Sequence, residues 1–284
     1  MGESDWRPLR DIDQRRLNIA RLQAHHAVQW LARAARAYVP PRPDDGHTNL
    51  GWDDTFVGFT THRLKNGMHL SLQIADLTLV LHGGERKRIQ SFSLNGRTNA
   101  QARQWLGEQL GARGLDTRAL DAPSPYEIPA RAVTQGAAYD AAELADSLLE
   151  LSVWFANAEF SLVRAQRQMI ERKLSASDVR CWPHHFDLAT LASFPARDAD
   201  ATAYVGAGLS PGDAYYDEPY FYVSVYPQPD RAELPRLPKL GHWHTHEFTA
   251  AVVPAHQIVA ANNQKAAADE FLKAAIDVAC NILR

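Results

Sequence analysis

Cysteine is scarce in this sequence, and the two that occur, Cys181 and Cys280, lie far apart and outside any CxxC pair. A disulfide framework or a cysteine-rich metal site needs closely spaced, paired cysteines. The chain of 284 residues has no need of such crosslinks, because a hydrophobic content of 45% can supply an ordinary core. We therefore expect two inert core thiols and a reducing, cytoplasmic compartment.

Long apolar runs are also lacking. No stretch approaches the roughly 20 apolar residues that a helix needs to cross a bilayer. The N-terminal segment MGESDWRPLRDIDQRR is charged, whereas a secretory signal requires an apolar region ahead of its cleavage site. We expect neither a signal peptide nor an association with membranes.

Neither sign of charge is in large excess, and the formal net charge is -3. Lysine and arginine are interspersed with aspartate and glutamate, without a basic stripe interleaved with aromatic residues. Nucleic-acid binding depends on such a basic surface. Nucleic acid is therefore not an expected partner.

Hydrophobic periodicity predicts the first half of the chain as a helix, four antiparallel strands and a second helix. Apolar residues recur at spacings of three and four over 10–38, and the PPRP run at 40–43 ends that pattern. Two alternating runs turn at the glycine-containing pairs 66–67 and 83–84, which favour hairpins. A capping box at 98–101 then begins the second helix.

The second half repeats this order of elements after a Pro-rich connection at 121–131. A long helix is predicted over 139–173, and a last helix reaches the C-terminus. Strand-like runs between them lie at 179–194, 202–210, 219–227 and 242–253.

Because strands come in runs instead of alternating singly with helices, the predicted class is α+β with antiparallel sheets. The expected architecture is two helix–antiparallel sheet–helix halves, each with about four strands, and a long central helix. We predict domains at 1–125 and 126–284, the second carrying the functional site.

The long helix allows two interpretations. Its apolar positions step by four and three throughout, which is typical of a coiled-coil seam and would make a homodimer. Leu149, Val153, Trp154 and Phe160 widen the apolar face beyond such a seam. That width favours a helix packed on a sheet within the chain.

The segment GLSPG (208–212) matches the G-x-S-x-G pattern of serine hydrolases but cannot act as one. The residue after the serine must donate its backbone N–H to the oxyanion, and Pro211 has no N–H. The pattern also leads into a strand instead of a helix, so it indicates a tight turn.

Three histidines, His242, His244 and His246, alternate in the run GHWHTHE. On an extended strand they would share one face. Residues two apart lie roughly 7 Å from each other, so two imidazoles could converge on one metal ion and ligands from elsewhere would complete a zinc or iron site. The alternative is a polar strand face without metal.

Alternation also gives two strands of the second half one aliphatic face and one polar face. The polar positions are Tyr220, Tyr222, Ser224 and Tyr226 in the later strand and Tyr204, Gly206, Gly208 and Ser210 in the earlier one. Glycine within a strand permits close approach of a ligand or another backbone. Phenols and hydroxyls around it are typical of a small-molecule pocket, although tyrosine is also ordinary on half-buried sheets.

The segments WPHHFDLATL, GAGLSPGDAYYDEPYFYVSVYP and HEFTAAVVPAHQI resemble an uncharacterised bacterial family, domain of unknown function 5996. The matching residues are Trp182, Phe186, Asp187, Glu218, Pro219, Phe221, Tyr222, Tyr226, Pro227, Glu247 and Phe248. With the N-terminal helix and SLNGRTNAQARQWLGEQLGARGL, the resemblance covers most of the chain. It implies the family's fold and a bacterial source, and it implies no reaction. His184, His185 and the three alternating histidines depart from the pattern.

Three functions fit these residues. In an enzyme, Asp187 or Glu218 would be the general base, Tyr222 would stabilise developing charge, and His185 would join them. A non-catalytic module would bind a small polar or aromatic molecule on the same face. The ligand contacts predicted there are Tyr220, Ser224, Tyr226, Ser210 and Glu247. The third function is a dimeric interaction protein.

Overall fold

The computed structural model of the chain describes residues 6–194, 203–237 and 240–283. The helices are α1 (Gln14–Tyr38), α2 (Asn99–Gly111), α3 (Ala145–Glu171), α4 (Ala255–Val259) and α5 (Gln264–Ile282). The strands of the first sheet are β1 (Gly51–Asp53), β2 (Gly58–Thr60), β3 (His69–Gln73), β4 (Thr78–His82) and β5 (Arg88–Ser93). The strands after α3 are β6 (Ser175–Ala176), β7 (Arg180–Trp182), β8 (Asp187–Ser193), β9 (Tyr204–Ser210), β10 (Tyr220–Tyr226), β11 (His242–His244) and β12 (Ala250–Pro254).

The predicted α+β class, with antiparallel sheets and a long central helix, is confirmed. Within the described residues the sheets have five and seven strands, where the sequence predicted about four each. No helix in the described ranges is both long enough and apolar enough to span a membrane.

The chain folds into two compact units. The first unit comprises residues 12–152 and 181–186, and the second comprises 1–11, 153–180 and 187–284. The first sheet, α1 and α2 lie in the first unit, whereas α4, α5 and β8 to β12 lie in the second. The predicted domain boundary stays a prediction.

Local sequence signals set the elements of the first unit. The Asp13 side chain accepts a hydrogen bond from the backbone N–H of Arg15 and so caps α1. The predicted apolar face of α1 is buried, namely Leu17, Ala20, Ala24, Val28, Leu31 and Ala35. The first sheet has the order β1-β2-β3-β4-β5, and the pairing of β2 with β3 and of β4 with β5 confirms both predicted hairpins. The capping box of Thr98 and Gln101 begins α2, also as predicted.

The apolar seam of α3 is buried within the single chain. Leu148, Leu151, Phe155 and Leu162 are each 0% exposed. A dimer seam would need these side chains at the surface, so their burial agrees with the interpretation of a core helix. The homodimer itself stays a prediction.

The second sheet sorts its side chains by alternation. Six of its strands run in the order β11-β12-β10-β9-β8-β6. Phe221, Val223 and Val225 of β10 are buried on one face, and the ring of Trp154 from α3 lies 6.4 Å from that of Phe221. The tyrosines of β10 point to the opposite face.

Turns interrupt two of the predicted strands. The run 242–253 is two strands, β11 and β12, because Glu247 has a left-handed backbone conformation with φ 63°. The prediction that three imidazoles share one strand face is therefore wrong for His246, which follows β11. In CWPHHFDL, Phe186 is left-handed with φ 60°, so His185 lies in the turn before β8 and not on a strand.

Candidate functional site

Strand register places the predicted tyrosine, serine and histidine side chains on one face of the second sheet. Tyr222 pairs with Gly208 on one side and with Val252 on the other, and Val252 in turn pairs with His242. Because paired residues point to the same face, these side chains form one surface, the tyrosine face. Its polar members are Asp187, Ser210, Tyr220, Tyr222, Ser224, His242 and His244.

Side chains from β10 fill the space above the glycines of β9. A Cβ atom at Gly208 would lie 2.5 Å from the Tyr222 ring, and one at Gly206 would lie 2.6 Å from the Ser224 hydroxyl oxygen. Neither separation is tolerable, so a side chain at either position would force Tyr222 or Ser224 to move. The close approach predicted from these glycines is therefore made by the chain's own Tyr222 and Ser224.

Asp187 and Tyr222 form a half-buried polar pair. The Tyr222 hydroxyl donates to Asp187 Oδ2 at 2.5 Å. Desolvation raises the pKa of Tyr222 well above 10.0, and the charge of Asp187 and its hydrogen bond raise it further. The phenol therefore stays protonated and acts as a donor at neutral pH.

A second carboxylate, Asp213, organises the turn between β9 and β10. Its Oδ2 accepts from the Tyr220 hydroxyl at 2.5 Å, and its Oδ1 accepts from the backbone N–H groups of Tyr215 and Tyr216 at 2.8 and 3.1 Å. Burial, reinforced by Asp213, raises the pKa of Tyr220. The turn thus holds the Tyr216 ring 4.7 Å from that of Tyr220.

Tyr216 links two imidazoles in a hydrogen-bonded series, the histidine chain. The Tyr216 hydroxyl lies 2.9 Å from His242 Nε2 and 3.1 Å from His244 Nδ1. His244 Nε2 lies 2.7 Å from the carbonyl oxygen of His246. A carbonyl only accepts, so Nε2 of His244 carries a proton, and in the neutral ring Nδ1 would accept from Tyr216. The Tyr216 oxygen then accepts from Nε2–H of His242.

The histidine chain runs from an exposed end to a buried end. His242 is exposed, whereas His244 is 9% exposed. Partial desolvation lowers the pKa of His242, and the neighbouring His244 and His256 lower it further. His242 is therefore neutral at pH 7, and its Nδ1 lone pair is the acceptor at the exposed end.

Further polar side chains lie around the histidine chain: Tyr215 contacts the ring of His244, and His256 is near His242. The Tyr215 hydroxyl donates to Glu247, and that hydrogen bond raises the pKa of Tyr215. Glu218 accepts from the backbone N–H of His256 at 2.8 Å and from its ring Nδ1 at 2.7 Å. We call His242, Tyr215 and Glu247 the rim.

The side chains of three predicted site residues form none of the hydrogen bonds given above. His185 is exposed and belongs to the first unit. Tyr226 is 48% exposed and stacks on Tyr204, with ring centroids 4.6 Å apart. His246 contributes its backbone carbonyl, as described above. Which of the predicted residues have a functional role stays a prediction.

Three residues that organise this face were missed by the sequence reasoning: Asp213, Tyr215 and Tyr216. A signal for Asp213 was present, because aspartate after glycine in a turn commonly accepts from the backbone two residues on. No comparable signal pointed to Tyr216, whose position between two histidines depends on the pairing of β10, β12 and β11.

The imidazoles of His242 and His244 converge on the hydroxyl group of Tyr216. Among the described residues, no group of three or more His, Cys, Asp or Glu side chains is arranged to hold a metal ion. The zinc or iron site stays a prediction, which metal analysis of the purified protein would test.

Two antiparallel sheets, a long central helix and a tyrosine-, histidine- and carboxylate-bearing sheet face define an α+β protein of the predicted class. The chain belongs to a family of unknown function, DUF5996, whose sequence model matches residues 23–284. The resemblance predicted from the strand motifs is thereby confirmed. Comparison with curated proteins and with solved structures gave no match.

Proposed function

We propose that the second unit binds a small amine-bearing molecule at the rim, with His242 as the proton-accepting group. The observation that supports this most directly is the histidine chain, which leaves a neutral imidazole nitrogen of His242 on the exposed side. A neutral imidazole nitrogen suits a ligand that carries a proton on nitrogen.

The charges of the segments that carry the rim favour a cation. Residues 203–230 and 240–264 contain no lysine or arginine, but they do contain Asp213, Asp217 and Glu247. An ammonium group would gain attraction from these carboxylates without a competing cation from the same segments.

Aromatic rings provide the second element of recognition. The Tyr215 ring lies 5.1 Å from that of His244 and 5.4 Å from that of Phe248. Aromatic faces attract ammonium groups and bury the apolar part of a ligand. The rim and the rings beside Tyr215 therefore combine one carboxylate, aromatic faces and one proton acceptor.

Two versions of this function differ in chemistry. In a binding module, His242 only accepts a hydrogen bond from the ligand. In an enzyme, His242 removes a proton from the ligand nitrogen, and Asp187 and Tyr222 supply acid–base groups or stabilise charge. The directed hydrogen bonds of the histidine chain favour the enzyme, because they fix the tautomer that a base needs. A cytoplasmic location and a homodimer stay further predictions.

Calorimetric titration with benzylamine tests the proposal, using benzyl alcohol as a neutral ligand of the same shape. We expect benzylamine to bind more tightly than benzyl alcohol, and His242→Ala to weaken benzylamine about tenfold, or about 1.4 kcal/mol. Following the His242 ring nitrogens by NMR should show Nδ1 perturbed on binding.

His185→Ala is the matched control, because it removes an exposed imidazole from the first unit. We expect it to leave benzylamine binding unchanged. Equal affinities of the wild type for benzylamine and benzyl alcohol would refute the proposal. Equal losses of benzylamine affinity in His242→Ala and His185→Ala would also refute it.

A further inference from the structure

The first unit contains a cavity of about 340 Å³ that none of the functions above uses. It lies between α1, the first turns of α2 and the segment that follows Asp121. The lining residues that matter are Trp30, Arg33, Arg36, Arg103, Asp121 and Tyr126.

Positive charge exceeds negative charge in this arginine cavity. Helix α1 has five arginines and neither aspartate nor glutamate. Arg103 binds both carboxylate oxygens of Asp121, each at 2.7 Å. Arg33 and Arg36 donate only long hydrogen bonds, 3.3 and 3.5 Å, to the backbone carbonyls of 120 and 122. Among the ion pairs of the described residues, none joins Arg33 or Arg36 to a carboxylate.

The two arginines stand in an unfavourable environment without an anion. Both are half-buried, and burial lowers the pKa of Arg36, with the nearby charge of Arg33 acting in the same direction. A guanidinium stays charged at neutral pH, so its partial desolvation is a cost that an anion would offset.

The cavity walls are held in place before any ligand arrives. The Tyr126 hydroxyl donates to Gln29 at 2.8 Å, and burial raises the pKa of Tyr126 to about 12, so it stays a neutral donor. Trp30 donates from its indole N–H to Asn99 at 3.1 Å, and the Arg33 guanidinium lies 5.6 Å from the Trp30 ring centroid. Such preorganisation lowers the entropic cost of binding.

We propose that the arginine cavity is a binding site for a small organic anion whose carboxylate or phosphate group contacts Arg33 and Arg36. Guanidinium groups bind both kinds of oxyanion through paired N–H donors. Trp30 and Tyr126 would contact the apolar part of the same molecule. Asp121 limits the affinity, because its negative charge remains in the cavity.

Calorimetric titration at constant ionic strength, in a buffer free of phosphate and carboxylate, tests the proposal with three probes that share a phenyl ring. Phenyl phosphate represents phosphate ligands, benzoate represents carboxylates, and benzyl alcohol is the neutral reference. We expect at least one anion to bind more tightly than benzyl alcohol. Arg36→Gln removes one guanidinium group and should weaken binding of that anion about tenfold.

Two further variants separate charge recognition from general damage. Asp121→Asn removes the competing carboxylate and should strengthen anion binding severalfold. Arg118→Gln is the matched control, because the Arg118 side chain is 89% exposed and pairs with Asp116 at the surface; it should change nothing. The proposal is overturned if neither anion binds more tightly than benzyl alcohol, or if Asp121→Asn weakens anion binding. It is also overturned if Arg36→Gln and Arg118→Gln weaken anion binding equally.

Discussion

The tyrosine face of the second unit and the arginine cavity of the first unit differ in how their polar groups are partnered. On the tyrosine face, each phenol of the network has an acceptor, as Tyr222 has Asp187 and Tyr220 has Asp213. The cavity is lined by three guanidinium groups, those of Arg33, Arg36 and Arg103, and by one carboxylate, that of Asp121, which binds Arg103. Polar side chains that suggest a site in the sequence can thus satisfy one another's hydrogen bonds. Polar side chains that lack such partners point more directly to a ligand.

The largest expected effect comes from disturbing the close packing of the tyrosine face. In Gly208→Ala the added Cβ would lie 2.5 Å from the Tyr222 ring, so the ring must move away from Asp187. We expect a loss of about 3 kcal/mol in the free energy of unfolding, measured with urea. Gly84→Ala is the control, because nothing lies within 4 Å of its Cβ. Similar losses in both variants would mean that the face is not closely packed.

Acid should destabilise the first unit through His25. This ring is buried, lies 2.9 Å from the carbonyl of Pro183, and stacks on Phe186. Burial lowers its pKa from 6.5 to about 4, so the unfolded chain takes up the proton first as the pH falls. Stability is therefore lost between pH 6.5 and about 4, amounting to about 2 kcal/mol at pH 5.

Urea unfolding at pH 7 and pH 5, for wild type and His25→Phe, measures this contribution. The variant should lose less stability on acidification than wild type, whatever its stability at pH 7. Gln29 also donates to the Pro183 carbonyl, at 2.8 Å, and we expect that hydrogen bond to remain in the variant. An unchanged pH dependence would show that His25 is not the responsible group.

The two proposed sites should bind ligands of opposite charge, and a substitution in one site should not affect binding at the other. His242→Ala should weaken benzylamine about tenfold and leave phenyl phosphate unchanged, and Arg36→Gln should do the reverse. Calorimetry on both variants with both probes gives four affinities. A variant that weakens both ligands would remove the distinction between the regions.

The smallest expected effect concerns the histidine chain. Tyr216→Phe removes the hydroxyl between His242 and His244, at an expected cost of about 1 kcal/mol in the free energy of unfolding. The Nε2 proton of His244 should stay in place, since its partner is a backbone carbonyl. The His242 tautomer should become mixed, which imidazole nitrogen shifts in NMR would show. A single unchanged His242 tautomer would mean that Tyr216 does not direct it.

Much of the fold could be predicted because its signals are local. Spacings of three and four gave the buried face of α1, and glycine-containing turns gave the hairpins of the first sheet. Alternation correctly separated Phe221 from Tyr222 on β10. Three-residue β1 was missed, because the sequence GWD is too short to show alternation.

The candidate sites were harder to predict because single residues and distant segments decide them. Left-handed Glu247 takes His246 off the strand, and a glutamate gives no sequence signal for that conformation. The arginine cavity joins α1 to residues almost a hundred positions later in the chain. Spacing along α1 shows that Arg33 and Arg36 are near each other, but not that few carboxylates reach them.

By itself, the sequence determined which side chains share a strand or helix face and which segments lack lysine and arginine, because those properties depend on local periodicity and composition. Tertiary structure alone decided which acceptor each phenol found, where the Tyr216 hydroxyl came to lie, and which cavity guanidinium group paired with the single carboxylate. The physical reason is that hydrogen bonds and ion pairs depend on ångström-scale distances between segments that only strand register and packing bring together.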